Sequence, residues 1–174
     1  MRRKIYAISL CACLVCGLFA SCLKDDDATV ALPKPFISIP NSMVPQAIVD
    51  SLQRYMNIYE GVTPPVIEGS YLANPVQLIH ASDGYYNDHF FDVYFTCASQ
   101  DCRGWISYIE RQNSALLGTD SAIVTGADDH FTMTCIAPMA DEVQGWNCKV
   151  AIIASGEVTT GGLSNFQTGF LRKI

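Results

Sequence analysis

Few side chains in this sequence could carry acid–base or metal chemistry. The three histidines are His80, His89 and His130. His80 stands three residues before Asp83, and His89 three before Asp92. A histidine beside a carboxylate is the usual arrangement for a general base or a metal ligand. If these pairs converged at strand ends, the chain would have the makings of a weak hydrolase. The favoured reading is plainer: they are exposed residues at loop edges. Asp128-Asp129 beside His130 reads as a hairpin turn, because Asp tolerates turn backbone. Gly162-Leu163-Ser164-Asn165-Phe166 lacks the second glycine of a nucleophile elbow, and the chain contains no H-E-x-x-H. No catalytic residue, metal site or cofactor is expected.

The other chemistry-bearing residues are eight cysteines. Cys11, Cys13 and Cys16 fall in an apolar run, 5–20, that follows Arg2, Arg3 and Lys4. A positive start, an apolar stretch and small residues at Ala20 and Ser21 make a secretory signal of residues 1–21. The run is short for a membrane-spanning helix, which needs roughly 20 apolar residues. Cys22 comes directly after the expected cut. Leu18-Phe19-Ala20-Ser21-Cys22 resembles the lipobox of bacterial lipoproteins, which implies a diacylglyceryl group on Cys22. Lys24-Asp25-Asp26-Asp27 resembles the short acidic signal that carries lipoproteins of Bacteroidetes-type bacteria to the outer face of the outer membrane. That resemblance implies a lipid-anchored protein exposed at the cell surface, touching the membrane only through its N-terminal lipid. Residues 22–41 then read as a tether, stiffened by Pro33, Pro35 and Pro40.

Cys97, Cys102, Cys135 and Cys148 remain, and four cysteines allow three pairings. An exported location permits disulfides. Cys97 with Cys102 suits a bridge across a hairpin turn, and Cys135 with Cys148 suits a second bridge. Free buried thiols are the alternative. A zinc site is disfavoured, since no C-x2-C pair survives cleavage.

Removing 21 of the 174 residues leaves 153, enough for one domain with a real core, 42–174. Three of the 11 basic residues leave with the signal, so 8 face 17 acidic ones, a net charge of −9. Nucleic acid is excluded as a partner, because its phosphates would repel such a chain.

Two kinds of element would build that domain. Apolar residues at Ile48, Leu52, Tyr55, Met56 and Tyr59 follow helical spacing and predict one helix over 45–60, with Pro45 in its first turn and Gly61 as its C-terminal cap. From Val66 on, β-branched and aromatic residues alternate with turn residues. Eight strands are expected, over 66–72, 76–81, 89–97, 103–111, 121–126, 130–137, 147–159 and 165–172. Ala73-Asn74-Pro75, Ala127-Asp128-Asp129 and Thr160-Gly161-Gly162 supply turns between them. Connections this short force antiparallel neighbours. The expected fold is therefore all-β, an eight-stranded antiparallel up-and-down barrel with one N-terminal helix, closure removing both edges. A two-sheet sandwich is the runner-up.

Alternation then sorts the faces. Phe91, Val93, Phe95 and Cys97 oppose Asp92, Tyr94 and Thr96. Phe131, Met133 and Cys135 oppose Thr132 and Thr134. Cys148, Val150 and Ile152 oppose Lys149. No buried charge is expected inside. A barrel of this size fills with its own side chains or holds one small ligand. Phe91, Val93, Phe95, Phe131, Met133, Val150 and Ile152 are the expected lining for a small hydrophobic ligand. The rival class is a glycan- or protein-binding surface module with a filled barrel, using exposed aromatics among Tyr85, Tyr86, Trp105, Tyr108 and Trp146.

Ile58-Tyr59-Glu60-Gly61 with Pro64-Pro65-Val66-Ile67-Glu68-Gly69-Ser70-Tyr71 resembles a family of lipocalin-like (calycin-type) lipoproteins of gut Bacteroidetes. So does the ending Ile153-Ala154-Ser155-Gly156-Glu157-Val158 with Gly162-Leu163-Ser164-Asn165-Phe166-Gln167. The resemblance implies a barrel and the binding of a lipid or another small apolar molecule, and it implies no reaction. Lipocalins carry Gly-x-Trp on the first strand and an Arg near the end of the last. Gly69-Ser70-Tyr71 and Arg172 stand at the matching places, with Tyr for Trp. The resemblance implies that Tyr71 and Arg172 touch and close one barrel end, a cation–π contact of roughly 0.5–2 kcal/mol.

Overall fold

A computed structural model describes residues 34–81, 91–112, 115–141 and 145–173. Residues 1–33, with the expected signal and Cys22, and Tyr85, Tyr86 and His89 lie outside the described residues. The described chain is mostly β, with one short helix, α1 (Gln46–Leu52). Seven strands follow: β1 (Gly69–Val76), β2 (Phe91–Ala98), β3 (Trp105–Gln112), β4 (Ala115–Ala127), β5 (His130–Asp141), β6 (Trp146–Thr159) and β7 (Gly162–Lys173). They form one antiparallel sheet in chain order, curled into a nearly closed barrel in which β1 and β7 are not hydrogen-bonded to each other.

Eight expected strands become seven because Ala73-Asn74-Pro75 is not a turn. The Asn74–Pro75 step lies inside β1, at a shift in register between Ala73 and Val76. Proline is tolerated there because β1 is an edge strand, with no partner awaiting the missing N–H. The stretch 76–81 then runs on without becoming a strand of its own. Asp128-Asp129 and Thr160-Gly161 are the expected hairpin turns, closed by the Ala127–His130 and Thr159–Gly162 pairs.

An odd strand count sets β1 and β7 parallel. The start of β1 and the end of β7 therefore stand at opposite ends of the barrel. Tyr71 is in register with Phe95 near the first end, and Arg172 with Val150 near the other. The register thus separates the backbones of the pair implied by the resemblance, and the side chain of Arg172 lies outside the described residues. The first end is closed instead by the chain leading into β1. Ile67, 1% exposed, plugs it. Gln100 clamps this strap: its Oε1 accepts the Ile67 N–H (2.9 Å), its Nε2 donates to the Pro65 carbonyl (2.9 Å), and its own N–H donates to Glu68 Oε1 (2.6 Å).

The helix is also shorter than expected, seven residues in place of sixteen. Beyond Leu52 the sheet captures the backbone. The Asn57 N–H donates to Gln167 Oε1 (2.9 Å) and the Tyr59 N–H to Thr132 Oγ1 (2.7 Å). Val49 and Met56 are buried, with Leu52 partly so, while Ile48 and Tyr55 are exposed. Together with Ile39 and Val44 they cover Ala151 and Ile153 on the outside of β6. Residues 34–41, the end of the stretch read as a tether, are packed on the sheet: Phe36 sets its ring edge-on to Trp105 (5.2 Å, 86°). Gly61 crosses β4 at φ +144°, where a Cβ would overlap the Gly126 carbonyl. Glycine is required there by that close approach, not as a helix cap.

Candidate functional site

The interior is built as alternation predicts. Val93 (2%), Phe95 (5%), Phe131 (1%), Met133 (2%), Val150 (5%) and Ile152 (0%) are buried in one cluster. Side chains with so little accessible surface pack directly against one another. Phe91 opens β2, and its side chain lies outside the described residues. Phe95 is the hub of this cluster. It stacks on Tyr71 of β1 (5.1 Å) and on Phe166 of β7 (4.8 Å), joining the two edges across the seam.

One interior residue contradicts the expectation of no buried charge. Glu110 on β3 is 3% exposed, and the Tyr108 hydroxyl donates to its Oε2. Burial holds the Glu110 carboxyl above the usual carboxylate range, opposed by the Tyr108 hydrogen bond. Burial likewise raises Tyr108, with the charge of Glu110 adding to it. A lone Glu between Ile109 and Arg111 reads as surface, and only strict alternation from Tyr108 could have turned it inward.

The four cysteines are free thiols, and neither expected bridge is present. Cys97 points inward and is buried, while Cys102 is exposed in the turn before β3. Cys135 pairs in register with Ile152, four residues along β6 from Cys148. That is about 13 Å of strand, beyond the roughly 7 Å a disulfide can span. Burial pushes Cys97 and Cys135 up to about 12, which keeps both protonated and poorly nucleophilic.

The two described histidines, His80 and His130, have separate partners. His80 stacks flat on Tyr55 (4.0 Å, 8°). His130 opens β5 between two carboxylates, Asp129 Oδ1 at 2.7 Å from Nδ1 and Glu157 Oε1 at 3.3 Å from Nε2. This links the β4–β5 hairpin to β6 on the surface. Among the described residues, no three His, Cys, Asp or Glu side chains are grouped to hold a metal ion.

Among the described residues a concavity lies on the outer face of the barrel. A groove of about 480 Å3 runs over β4, β5 and β6, lined by Leu116, Gly118, Pro138, Ala140, Asn147 and Lys149, with Met139 and Cys148 beneath. Its cause is a bulge in β4. Leu117 pairs with Met139 and the ladder resumes at Ile123 with Thr134, six residues of advance against five. The β3 side shows the same extra residue, with Ile106 facing Ala122 and Tyr108 facing Thr119. A bulge breaks the ladder and bends the strand. Pro138 has no N–H to offer across the gap, and Gly118 leaves space where a side chain would stand. Sequence reasoning missed this site because the strands expected over 103–111 and 121–126 leave 112–120 outside the sheet, whereas β4 starts at Ala115.

Beside the groove, no described residue covers the sheet. Leu72, Tyr94, Arg111, Leu116, Ala140 and Asn147 are successive cross-strand partners from β1 to β6. At about 4.8 Å per step they form a row of roughly 24 Å. Leu72 (51%), Tyr94 (54%) and Leu116 (45%) in this row, with Ile109 (54%) beside it, are the large apolar side chains it exposes. Comparisons with family models, curated proteins and solved structures find no match.

Proposed function

We propose that this chain is a lipid-anchored lipoprotein of the outer cell surface that binds a small apolar ligand on the outside of its barrel, without catalysis. The signal pattern and Cys22 motivate the anchor. The observation that supports the ligand site is the contrast between described interior side chains buried against one another and an open apolar groove on the outer face of β4–β6. Binding would draw on apolar burial, about 25 cal/mol per Å2, with few polar groups for orientation. Leu116→Asp puts a charge into the groove at an exposed position. Titration with the neutral fluorophore N-phenyl-1-naphthylamine should then lose its signal, while Met133→Leu inside the barrel leaves it unchanged. A signal insensitive to Leu116→Asp but abolished by Met133→Leu would return the ligand to the interior.

A second reading rests on the exposed row. Tyr and Arg amid exposed aliphatics have the make-up of a partner-binding surface. A glycan or protein laid across the strands would then be the target. Tyr94→Ala should lower binding on a glycan or protein array; an array pattern that ignores this change would retire the row.

A further inference from the structure

Among the described residues, the groove carries one charged side chain. Lys149 lies in register with Pro138 across the β5–β6 ladder, is exposed, and makes no ion pair among the described residues. The rest of the lining is aliphatic or small, with the Asn147 amide beside it. The nearest described carboxylate on β4, Asp120, is held by the Ser107 hydroxyl (2.9 Å) toward β3. In a chain of net charge −6, an anion is repelled over most of the surface. At this groove it meets an ammonium group beside apolar walls.

We propose that the groove binds amphipathic carboxylates: an aliphatic chain lies along Leu116, Gly118, Pro138 and Ala140, and the carboxylate pairs with Lys149. This rests on the reading above that the ligand site is outside the barrel, and adds the chemical class of the ligand. The two parts of the site do different work. The apolar trough supplies affinity, since each methylene laid along it is removed from water. The lysine supplies selection between head groups, because an ion pair at a half-open site is worth little in total free energy. Asn147, in register with Ala140, offers a second hydrogen-bond donor near the same end.

The variants follow from the local geometry. A Cβ on Gly118 would meet Ile109 Cγ1 at 3.5 Å and the Tyr108 carbonyl at 3.7 Å, ordinary contacts, and the backbone there is not left-handed. Gly118→Leu therefore fills the trough without forcing the fold. Ala140→Phe fills it from the opposite wall and stands in if the first variant melts early. Lys149→Gln keeps a polar hydrogen-bond donor, one atom shorter, but removes the charge.

The test is an NMR titration of the full chain with octanoate and with octan-1-ol, both monomeric in water. Octanoate should bind roughly fivefold tighter than octanol, Lys149→Gln should erase that preference, and either trough-filling variant should abolish both. Equal binding of the two probes, still blocked by filling the trough, leaves the outer site standing and overturns the carboxylate assignment. Binding of neither probe, or binding that survives both filled variants, overturns the outer site as well.

Discussion

Glu110→Gln should raise the stability of the domain at pH 7–8 and leave it nearly unchanged at pH 4. The carboxyl of Glu110 lies inside the barrel, where burial disfavours its charged form and lifts its pKa above the usual carboxylate range. A carboxyl raised in the folded state contributes its full stability below the unfolded pKa. That contribution is lost as pH climbs through the folded pKa, because unfolding then releases a proton that the native state retains. The loss is at most about 1.4 kcal/mol per pH unit over the interval between the two values. Glutamine keeps an acceptor for the Tyr108 hydroxyl and has nothing to titrate. Thermal melts of both proteins from pH 4 to 8 should diverge steadily, the wild type falling relative to the variant. A constant gap, or a wild type that gains on the variant as pH rises, would mean that Glu110 is ionised inside the fold throughout.

The second large effect is expected at Phe95. Its ring is 5% exposed and touches Tyr71, Tyr108 and Phe166, on β1, β3 and β7. Phe→Ala in a packed core costs about 3–5 kcal/mol, part of it for the cavity left behind. Here the same ring also joins two strands that share no backbone hydrogen bonds. A domain of this size loses about 2–4 °C of Tm per kcal/mol, so Phe95→Ala should lower Tm by roughly 6–20 °C. Amide exchange should quicken first in β1. Tyr94→Ala, one residue away but facing water, should shift Tm by no more than a degree or two. If Phe95→Ala were as mild as Tyr94→Ala, the interior could not be packed as described.

The parts of the fold legible in the sequence were those in which one physical signal acted alone. Val93, Phe95 and Cys97 alternate with Tyr94 and Thr96, which are exposed, and the inward face of β2 follows directly. On β5 and β6 the alternation carries less, because the chain before β1 covers their outer face as well. Residues 131–135 and 150–156 are buried throughout, both faces being shielded. Among the described residues, the Thr134 and Ser155 hydroxyls under that covering are buried without a partner. The errors arose where a local signal met a tertiary one. Asn74-Pro75 has turn chemistry, but an edge strand accommodates it. Residues 112–120 fall between expected strands, but the flanking strands hold 115–120 in the sheet with a bulge, and the groove follows from that. Tyr55 and Tyr59 continue a helical stripe, but acceptors on β5 and β7 take the backbone first. Gln100, which clamps the strap through three hydrogen bonds, sits in a turn and carries no sequence signal of its role.

The odd strand count has a consequence for engineering. Many small domains bring their termini together, and new ends can be cut elsewhere once the old ones are joined. Here Gly69 and Lys173 border opposite ends of the barrel. A loop joining them must run the length of β1, eight residues or about 27 Å. At roughly 3.3–3.6 Å per extended residue it needs at least about eight residues simply to reach. Short-linker circular permutants of this sheet should therefore fail, whereas an even-stranded meander of the same size would accept them.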